Sequence, residues 1–493
     1  MLLFFIMKDI SIDKLDYTIG GIYGSSGSYL ISNLYEDFDN IILVLNNNNE
    51  AYNFRDELSL FIKDKKEISL YLDIECFPYE NIIIDNNIIS ERLKTYKRLI
   101  NKKRNIIITT YSALSKRTVP KNKLYNFYKK IEKQQTYNEI LQDLKFLCYE
   151  RTDRVINRGE YALKGSIIDV FSLVESNPMR ISFDDDSIEF IKEFDPETQK
   201  TIEEISSFIL SATNEIILDE STIATYKMKC KNFFDDEYVS DIEYQKITEG
   251  LMTSSIHNIM PALYENMSHI LDLLPKSNNV ILAVKNPNDE IKLINDRYNE
   301  YYLKHNKEKY LLNPKNLIIN NEEYNKHKKH FKNITLSIYK VNDDYKSSNL
   351  SIKRLPSLLI NNTYKDPYKA LIDYLAVSSM QNIFCIDRQS LRIELIQMLN
   401  RNKLKYILTD DLSDLDDIKS KIILCTKNLD EGFIDHSSKK SFIGARDVFG
   451  NRSLKSPKKS NKNLVNNYID DISSIEVDTP VVHDEYGVGR YKG

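Results

Sequence analysis

The alternation of apolar and polar positions is clearest between residues 158 and 199, where it predicts a small antiparallel sheet. Gly159 and Gly165 mark turns around a short segment, and polar loops separate the apolar runs that follow. The predicted strands are Ser166–Phe171, Met179–Phe183 and Ile188–Phe194.

Side chains along the second of these strands point alternately to opposite faces. Met179, Ile181 and Phe183 share one face, and Arg180 lies on the other. One face can pack while the other presents a cation. No nucleophile–base pair and no metal-ligand spacing accompanies the strands, so we interpret this sheet as a docking surface that displays Lys164 and Arg180.

The residues on either side of this sheet show the pattern of an α/β protein. Apolar strands alternate with helical spacing over 8–122, and α/β character resumes over 211–340, which predicts a parallel sheet with helices on its faces. The strands predicted before the inserted sheet are Asn40–Leu45, Ile68–Leu72 and Ile106–Thr110, with helices at Ala51–Phe61 and Ile88–Ile100.

A second α/β domain is predicted over 352–450, after a polar linker at Val341–Ser351. Its strands are expected at Asn382–Ile386 and Lys421–Thr426, with a helix at Ser390–Asn400 between them.

Composition adds limits to this picture. The chain has 493 residues, 42% hydrophobic and 28% charged, with a net charge of −4, so any nucleic-acid contact has to be local. Five widely spaced cysteines without a CxxC motif favour neither a zinc site nor a disulfide framework, and they fit a reducing cytoplasm. The apolar start MLLFFIMK is too short for a signal peptide or a membrane span.

The stretch Gly21–Ser28 reads GIYGSSGS and stands where a phosphate-binding loop would precede a helix. The working pattern is GxxxxGK followed by Ser or Thr. Here Gly21 and Ser28 match, but Ser26 replaces the second glycine and Gly27 replaces the lysine that neutralises the phosphates. We therefore interpret this as a degenerate loop and expect no nucleotide to bind there.

Three further features have a functional and a structural interpretation. Arg92 and Arg98 lie on a helix that Ser90 is expected to cap; they are either DNA or nucleotide ligands or, more commonly, members of ion pairs. His327 and His330 have a spacing that can hold a metal, but their lysine-rich surroundings favour a solvated helix face. We expect no metal and no other cofactor.

The run RGEYALKGSIIDVFSLVESNPMRISFDDDSIEF resembles a stretch of two related groups of bacterial repair proteins, UvrB and the transcription-repair coupling factors. In both, this inserted domain binds the damage-recognition ATPase UvrA. The resemblance implies that Lys164, Arg180 and Phe183 contact UvrA, with Lys164 standing where the family often has arginine. The structural alternative for Arg180 is an ion pair with Asp184–Asp186.

Two later segments also resemble the coupling factors. Ala445–Gly450 is similar to the end of their third domain, and TPVVHDEYGVGRYKG is similar to the start of their RNA-polymerase-interacting domain. The resemblance implies that the polymerase-binding residues are His483, Gly487, Gly489 and Arg490. The two glycines are expected to form a tight turn.

Taken together, the pattern and the resemblance predict an α/β multidomain protein with six parts. They are a degenerate P-loop-NTPase-like module at 8–122, an inserted small α+β UvrA-binding domain at 123–210, the return of the first module at 211–340, a second α/β domain at 352–450, a basic linker at 451–478 and the incomplete start of a polymerase-interacting domain at 479–493.

The function implied by the resemblance is that of the N-terminal part of a transcription-repair coupling factor. Such a protein recruits UvrA to RNA polymerase stalled at a DNA lesion, and the chain is expected to bind polymerase only weakly and to reach DNA mainly through a C-terminal motor beyond this sequence. It is therefore not expected to be an enzyme by itself. The alternatives are a UvrB-like damage-loading ATPase and a decayed product without its motor half.

Overall fold

The computed structural model describes residues 16–450, except 76–77, 82, 102, 235, 307–309, 345, 362, 364–365, 411, 413–414 and 416–417, and the backbone of two strands near the C-terminus. The chain divides after Gly450 into two compact units. The first unit contains three main sheets, and the second contains one short hairpin.

The described strands are β1 (Asp16–Gly20), β2 (Asn40–Leu45), β3 (Ile68–Tyr71), β4 (Asn105–Thr110), β5 (Tyr128–Glu132), β6 (Glu150–Arg151), β7 (Glu160–Lys164), β8 (Ile167–Val170), β9 (Met179–Asp184), β10 (Ser187–Phe194), β11 (Thr201–Ile205), β12 (Ser207–Ser211), β13 (Asn279–Ala283), β14 (Phe331–Leu336), β15 (Ser347–Asn349), β16 (Ile352–Lys353), β17 (Gln381–Cys385), β18 (Ile407–Thr409), β19 (Ile422–Cys425), β20 (Phe433–Asp435), β21 (Lys440–Gly444), β22 (Pro480–His483) and β23 (Gly487–Arg490).

The described α-helices are α1 (Ser26–Leu34), α2 (Asn48–Leu58), α3 (Asn86–Ile100), α4 (Tyr111–Ser115), α5 (Tyr137–Phe146), α6 (Glu220–Phe233), α7 (Ile242–Thr248), α8 (Ile256–Leu263), α9 (Ile270–Leu273), α10 (Pro287–His305), α11 (Pro314–Leu317), α12 (Asn321–His327), α13 (Lys369–Val377), α14 (Gln389–Arg401) and α15 (Ala445–Phe449). None of these helices combines the length and the apolar character that crossing a bilayer requires.

The first sheet has seven parallel strands in the order β15-β1-β14-β13-β2-β4-β3. All six residues of β2 are buried, and its side chains alternate between two separate apolar cores, with Ile42 and Val44 in one and Ile41 and Leu43 in the other. A strand buried on both faces is typical of a parallel sheet covered by helices on each side. The predicted α/β fold with a parallel sheet is confirmed.

The polar stretch predicted as a linker, Val341–Ser351, is partly a strand. Its residues 347–349 form β15, which pairs in parallel with β1 and closes one edge of the first sheet. Asn349 supports this edge because its Oδ1 accepts the N–H of Val341 at 2.8 Å and its Nδ2 donates to the carbonyl oxygen of Val341 at 2.6 Å. Hydrophobic patterning missed the strand because its three side chains are only half-buried.

The inserted sheet, β11-β10-β9-β8-β7-β6, has six strands and is antiparallel except for the pair β6 and β7. The three strands predicted here, β8, β9 and β10, begin and end within one residue of the predicted positions, and β6, β7 and β11 were not predicted. A separate ribbon of β5 and β12 joins it to the first sheet. Helix α5 begins with a capping box in which Thr136 and Glu139 bond to each other's backbone N–H groups.

The last sheet has the order β16-β20-β21-β17-β19-β18. Strands β21, β17, β19 and β18 are parallel, and β20 and β16 add an antiparallel edge. The carboxylate of Asp447, at the start of α15, accepts the N–H groups of Gly432 and Gly444 at 2.9 and 2.8 Å. This carboxylate therefore fixes the turn that precedes β20 against the end of β21.

Helix α3 differs from the prediction at its N-terminus. It begins at Asn86, and its cap is Asp85, whose side chain accepts the N–H of Asn87. Ser90, the predicted cap, is buried inside the helix and donates its hydroxyl to the carbonyl oxygen of Leu173 at 2.5 Å. Ser90 therefore ties the helix to the inserted sheet rather than starting it.

Candidate docking face

The hairpin of β7 and β8 places Lys164 at the end of the inserted sheet. Lys164 pairs with Ile167 across a two-residue turn in which Gly165 has φ +62. No heavy atom lies within 4 Å of the position that a Cβ on Gly165 would take, so the glycine is needed for its backbone conformation rather than for space. The turn leaves the Lys164 side chain 50% exposed.

Arg180 lies on the same face of the sheet and is held by a carboxylate beneath it. Its Nε and Nη2 donate to the two carboxylate oxygens of Asp169 at 2.7 and 2.8 Å, and its guanidinium stands 4.6 Å above the centre of the Phe194 ring. The Asp169 hydrogen bonds raise the pKa of Arg180 above its ordinary value. Among the described residues, Nη1 of Arg180 has no hydrogen-bond partner, so this nitrogen remains available to a ligand.

The ion-pair alternative predicted for Arg180 named the wrong carboxylates. Asp184–Asp186 form the end of β9 and its turn, where Asp185 has φ +52, whereas Asp169 lies directly across from Arg180 in the neighbouring strand. Pairing register, which the sequence alone does not give, selects Asp169.

A row of paired side chains crosses five strands of this face. Glu204, Lys192, Arg180, Asp169 and Ala162 are consecutive cross-strand partners. The carboxylate of Asp169 is 1% exposed, whereas the side chains of Arg180 and Lys192 are 23% and 31% exposed. The charge that a partner meets at the centre of this face is therefore positive.

We call the residues Lys164, Arg180 and Lys192 the docking face. Sequence reasoning found the first two and missed Lys192, which shares the Arg180 face only because β9 and β10 pair in the observed register. Asp169 was missed as well, although the alternation of apolar side chains along β8 places it on the face opposite Ile168 and Val170.

Phe183 lies on the opposite face of the inserted sheet. Its side chain is 4% exposed and meets the ring of Tyr137 edge-on, with 5.1 Å between the ring centres. The alternation along β9 predicted this separation from Arg180. Phe183 supports the strand from the core, and a direct contact between Phe183 and a partner stays a prediction.

The degenerate loop lies between the first strand and the first helix of the first sheet. Gly21 follows β1 with φ +72, and Ser26, Gly27 and Ser28 form the first turn of α1, where all three are buried. The loop thus has the strand–loop–helix context of a phosphate-binding loop, while its side chains contact other parts of the chain.

The two arginines of α3 serve the structure rather than a ligand. Arg92 is buried and pairs with Glu215, and Arg98 donates from Nη2 to the carbonyl oxygen of Arg104 at 2.7 Å. His327 bonds to Asp272 at 2.8 Å and stacks on His269. No cluster of three or more histidine, cysteine or acidic side chains suited to a metal occurs in the part of the chain that the structure describes.

The second compact unit contains the predicted polymerase-binding residues. Strands β22 and β23 are antiparallel, and His483 pairs with Gly487. Gly487 and Gly489 lie inside β23, so the tight turn predicted at these two glycines is wrong. The backbone places Arg490 opposite Pro480, and the binding roles of these residues stay predictions.

Comparison with known families identifies two segments of the chain. Residues 129–215 match the family described as UvrB interaction domain, and residues 374–448 match the family described as MFD, D3 domain. The first match contains the whole docking face, and the second contains most of the last sheet.

Three curated relatives carry the description transcription-repair-coupling factor. The protein from Haemophilus influenzae is 26% identical over 99% of this chain and 43% of its own length, and that from Escherichia coli is 24% identical over 96% and 42%. The protein from Borreliella burgdorferi is 32% identical over 50% of this chain and 21% of its own length. The chain therefore spans about two fifths of the first two relatives.

Proposed function

Since the chain belongs to the transcription-repair-coupling factor family, as the counterpart of its N-terminal portion, we propose that it links RNA polymerase stalled at a DNA lesion to nucleotide excision repair. In this proposal the docking face recruits UvrA. The hairpin of β22 and β23 contributes, weakly, to contact with RNA polymerase. A protein with these partners works in the cytoplasm.

The observation that carries the proposal is the exposed cationic surface over a buried carboxylate. Asp169 fixes the position of Arg180 and uses one side of its guanidinium, while Nη1 points away from this bond. Lys164 lies 3.8 Å from the same carboxylate and is more exposed. A fixed arginine loses little side-chain freedom on binding, which favours it as a central contact for an acidic surface.

The partner that suits this face has carboxylates at the centre of its own surface. Lys164, Arg180 and Lys192 bring three positive charges together, whereas Glu204 stands at the outer strand with its side chain 55% exposed. Opposite charges on the two surfaces would speed association and fix the orientation of the complex. We infer that UvrA contributes such an acidic surface.

The direct test is binding of purified UvrA to the immobilised chain. We expect the double variant Lys164→Ala and Arg180→Ala to weaken binding at least tenfold. The matched control is Lys130→Ala with Lys133→Ala, which removes two exposed cations at the end of β5, outside the docking face. Equal binding of the double variant and the unchanged chain would refute the docking face.

Removing Arg180 leaves the buried carboxylate of Asp169 with less compensation and can therefore weaken the fold as well as the contact. A second variant separates these two effects. Lys192→Glu changes a half-buried side chain whose Nζ lies 3.9 Å from Glu204, and it reverses a charge without touching Asp169. We expect it to weaken UvrA binding at low salt and to leave the unfolding transition unchanged. Binding that did not depend on this charge would contradict the proposed role of the whole row.

A further inference from the structure

The degenerate loop is covered by the last sheet. The N–H of Ser25 donates to the carbonyl oxygen of Glu431 at 3.0 Å, and the N–H of Glu431 donates to the hydroxyl of Ser25 at 3.3 Å. Gly24 has φ +52, and a Cβ placed there would lie 2.6 Å from the same carbonyl oxygen of Glu431. The turn before β20 is therefore in direct contact with the loop backbone, and a side chain at Gly24 would not fit between them.

The side chain of Glu57 is the anion at the start of α1. Its carboxylate accepts the hydroxyls of Ser25 and Ser28 at 2.7 and 3.2 Å, and it accepts the N–H of Asp430 at 3.3 Å. Burial raises the pKa of Glu57, and the bonds from Ser25, Asp430 and Ser28 act in the opposite direction. One carboxylate thus joins α1, α2 and the last sheet.

An aromatic cluster lies next to these polar contacts. Like them, it joins residues near the first sheet to residues of the last sheet. Tyr29 lies on α1 and Phe61 lies in the turn after α2, and Phe433 and Phe442 come from the last sheet. The centre of the Tyr29 ring lies 5.2 Å from that of Phe442 and 5.9 Å from that of Phe433, and Phe61 lies 5.6 Å from Phe442. The contact between the two sheets is therefore partly apolar and buries aromatic side chains, whose removal from water stabilises it.

We propose that the position of a phosphate-binding loop serves in this protein as a socket for the last sheet. The Glu57 carboxylate supplies the negative charge that the N-terminus of α1 favours, and the Asp430–Glu431 turn supplies backbone partners for the loop. The socket holds the first and last sheets together. It excludes a nucleotide because a triphosphate would meet Glu57, Asp430 and Glu431 at close range.

Two side chains in and beside the loop, those of Ser28 and Tyr23, contribute to this socket. Gly27 stands at the position of the lysine and supplies no cation, and a Cβ there would lie 3.5 Å from the Phe54 ring, an ordinary van der Waals distance. Ser28, which matches the last position of the phosphate-binding pattern, donates its hydroxyl to Glu57, whereas in a working loop this hydroxyl binds Mg²⁺. Tyr23 reaches across to hydrogen-bond the Glu431 carboxylate, and Arg354 lies above the Tyr23 ring at 4.3 Å.

Hydrogen–deuterium exchange on the full chain tests the socket. We expect Glu57→Ala to raise the exchange rate of peptides covering 22–34 and 427–436 together, by about tenfold, and to leave 160–194 unchanged. A rise in only one of the two segments, or in neither, would overturn the proposal. Glu50→Ala is the matched control, because Glu50 is a half-buried glutamate on the same helix whose side-chain hydrogen bonds stay within residues 46–50.

A second variant keeps the test decisive if Glu57→Ala fails to fold. Gly24→Ala leaves every polar partner in place but puts a methyl group against the Glu431 carbonyl oxygen, so it should separate the same two segments. In the unchanged chain, addition of ATP with magnesium should leave exchange over 22–34 as it was. Protection of that segment by ATP would show an open nucleotide site and overturn the socket.

Discussion

Arg92 and Arg180 make the same bond in two parts of the molecule and have different uses. Each pairs through Nε and Nη2 with a carboxylate that is 1% exposed, Glu215 for Arg92 and Asp169 for Arg180. Arg92 is 4% exposed and Arg180 is 23% exposed. The bond alone therefore does not tell a structural arginine from a binding one.

The difference lies in the remaining nitrogen atoms. Arg92 also donates to the carbonyl oxygen of Leu72 and to the hydroxyl of Tyr71, both at 2.7 Å. Burial by itself lowers the pKa of Arg92, but Glu215 and the two tyrosines outweigh burial and leave it well above its ordinary value. Each of the three guanidinium nitrogens of Arg92 is hydrogen-bonded inside the protein, whereas Nη1 of Arg180 has no such bond among the described residues.

The largest loss of stability is expected when the buried pair of Arg92 and Glu215 is broken. Arg92→Ala leaves Glu215 buried without compensation, which should lower the free energy of unfolding by about 3–5 kcal/mol. Urea denaturation measures it. Lys94→Ala removes a half-exposed cation from the same helix and should cost no more than about 0.5 kcal/mol. Similar costs for the two variants would mean that burial does not distinguish these pairs.

Acid sensitivity should also come from the interior of the first unit. Burial lowers the pKa of His269 to about 4 from its ordinary value of 6.5, and its ring caps α9 by accepting the N–H of Leu271. The folded state then holds fewer protons than the unfolded state between these values. The stability that the neutral ring of His269 contributes is complete above about pH 6.5. As the pH falls towards 4 this stability is lost, by up to roughly 3 kcal/mol.

The measurement for this second expectation is the free energy of unfolding against pH for His269→Gln and for the unchanged chain. His269→Gln should flatten the decline between pH 6.5 and 4. His330→Gln alters an exposed histidine and serves as the control, with an unchanged slope. A slope that His269→Gln leaves intact would assign the acid sensitivity to other groups.

A smaller loss of stability is expected when Arg180, the more exposed of the two arginines, is removed. Arg180→Ala should lower the free energy of unfolding by about 1–2 kcal/mol, roughly a third of the cost of Arg92→Ala, because solvent and Lys164 partly compensate Asp169. Its loss of UvrA affinity should exceed its loss of stability. If the stability cost equalled that of Arg92→Ala, Arg180 would be a structural residue like Arg92.

The smallest effect should come from strengthening the docking face. Lys164→Arg introduces a forked donor at this position, and we expect UvrA to bind about twofold to fivefold more tightly. Lys130→Arg makes the same change on β5, outside the docking face, and should have no effect. Titration of both variants with UvrA decides whether the lysine limits docking.

The sequence predicted those features that depend on local pattern. The three central strands of the inserted sheet, the parallel first sheet and the opposite directions of Arg180 and Phe183 follow from period-two alternation and from buried apolar runs. Asp169, Lys192 and Glu215 were missed because each acquires its role from a strand or helix distant in sequence. The edge strand β15 was missed for the opposite reason, since a short polar strand has no hydrophobic signal.

The strand order of the first sheet also has a consequence for synthesis of the chain on the ribosome. β1 and β2 emerge early but never become neighbours, since β14 and β13 lie between them in the finished sheet. The N-terminal strand must therefore wait until residue 336 has emerged, whereas β7, β8, β9 and β10 pair in order of emergence. The inserted sheet can thus fold while the sheet that carries it is still incomplete.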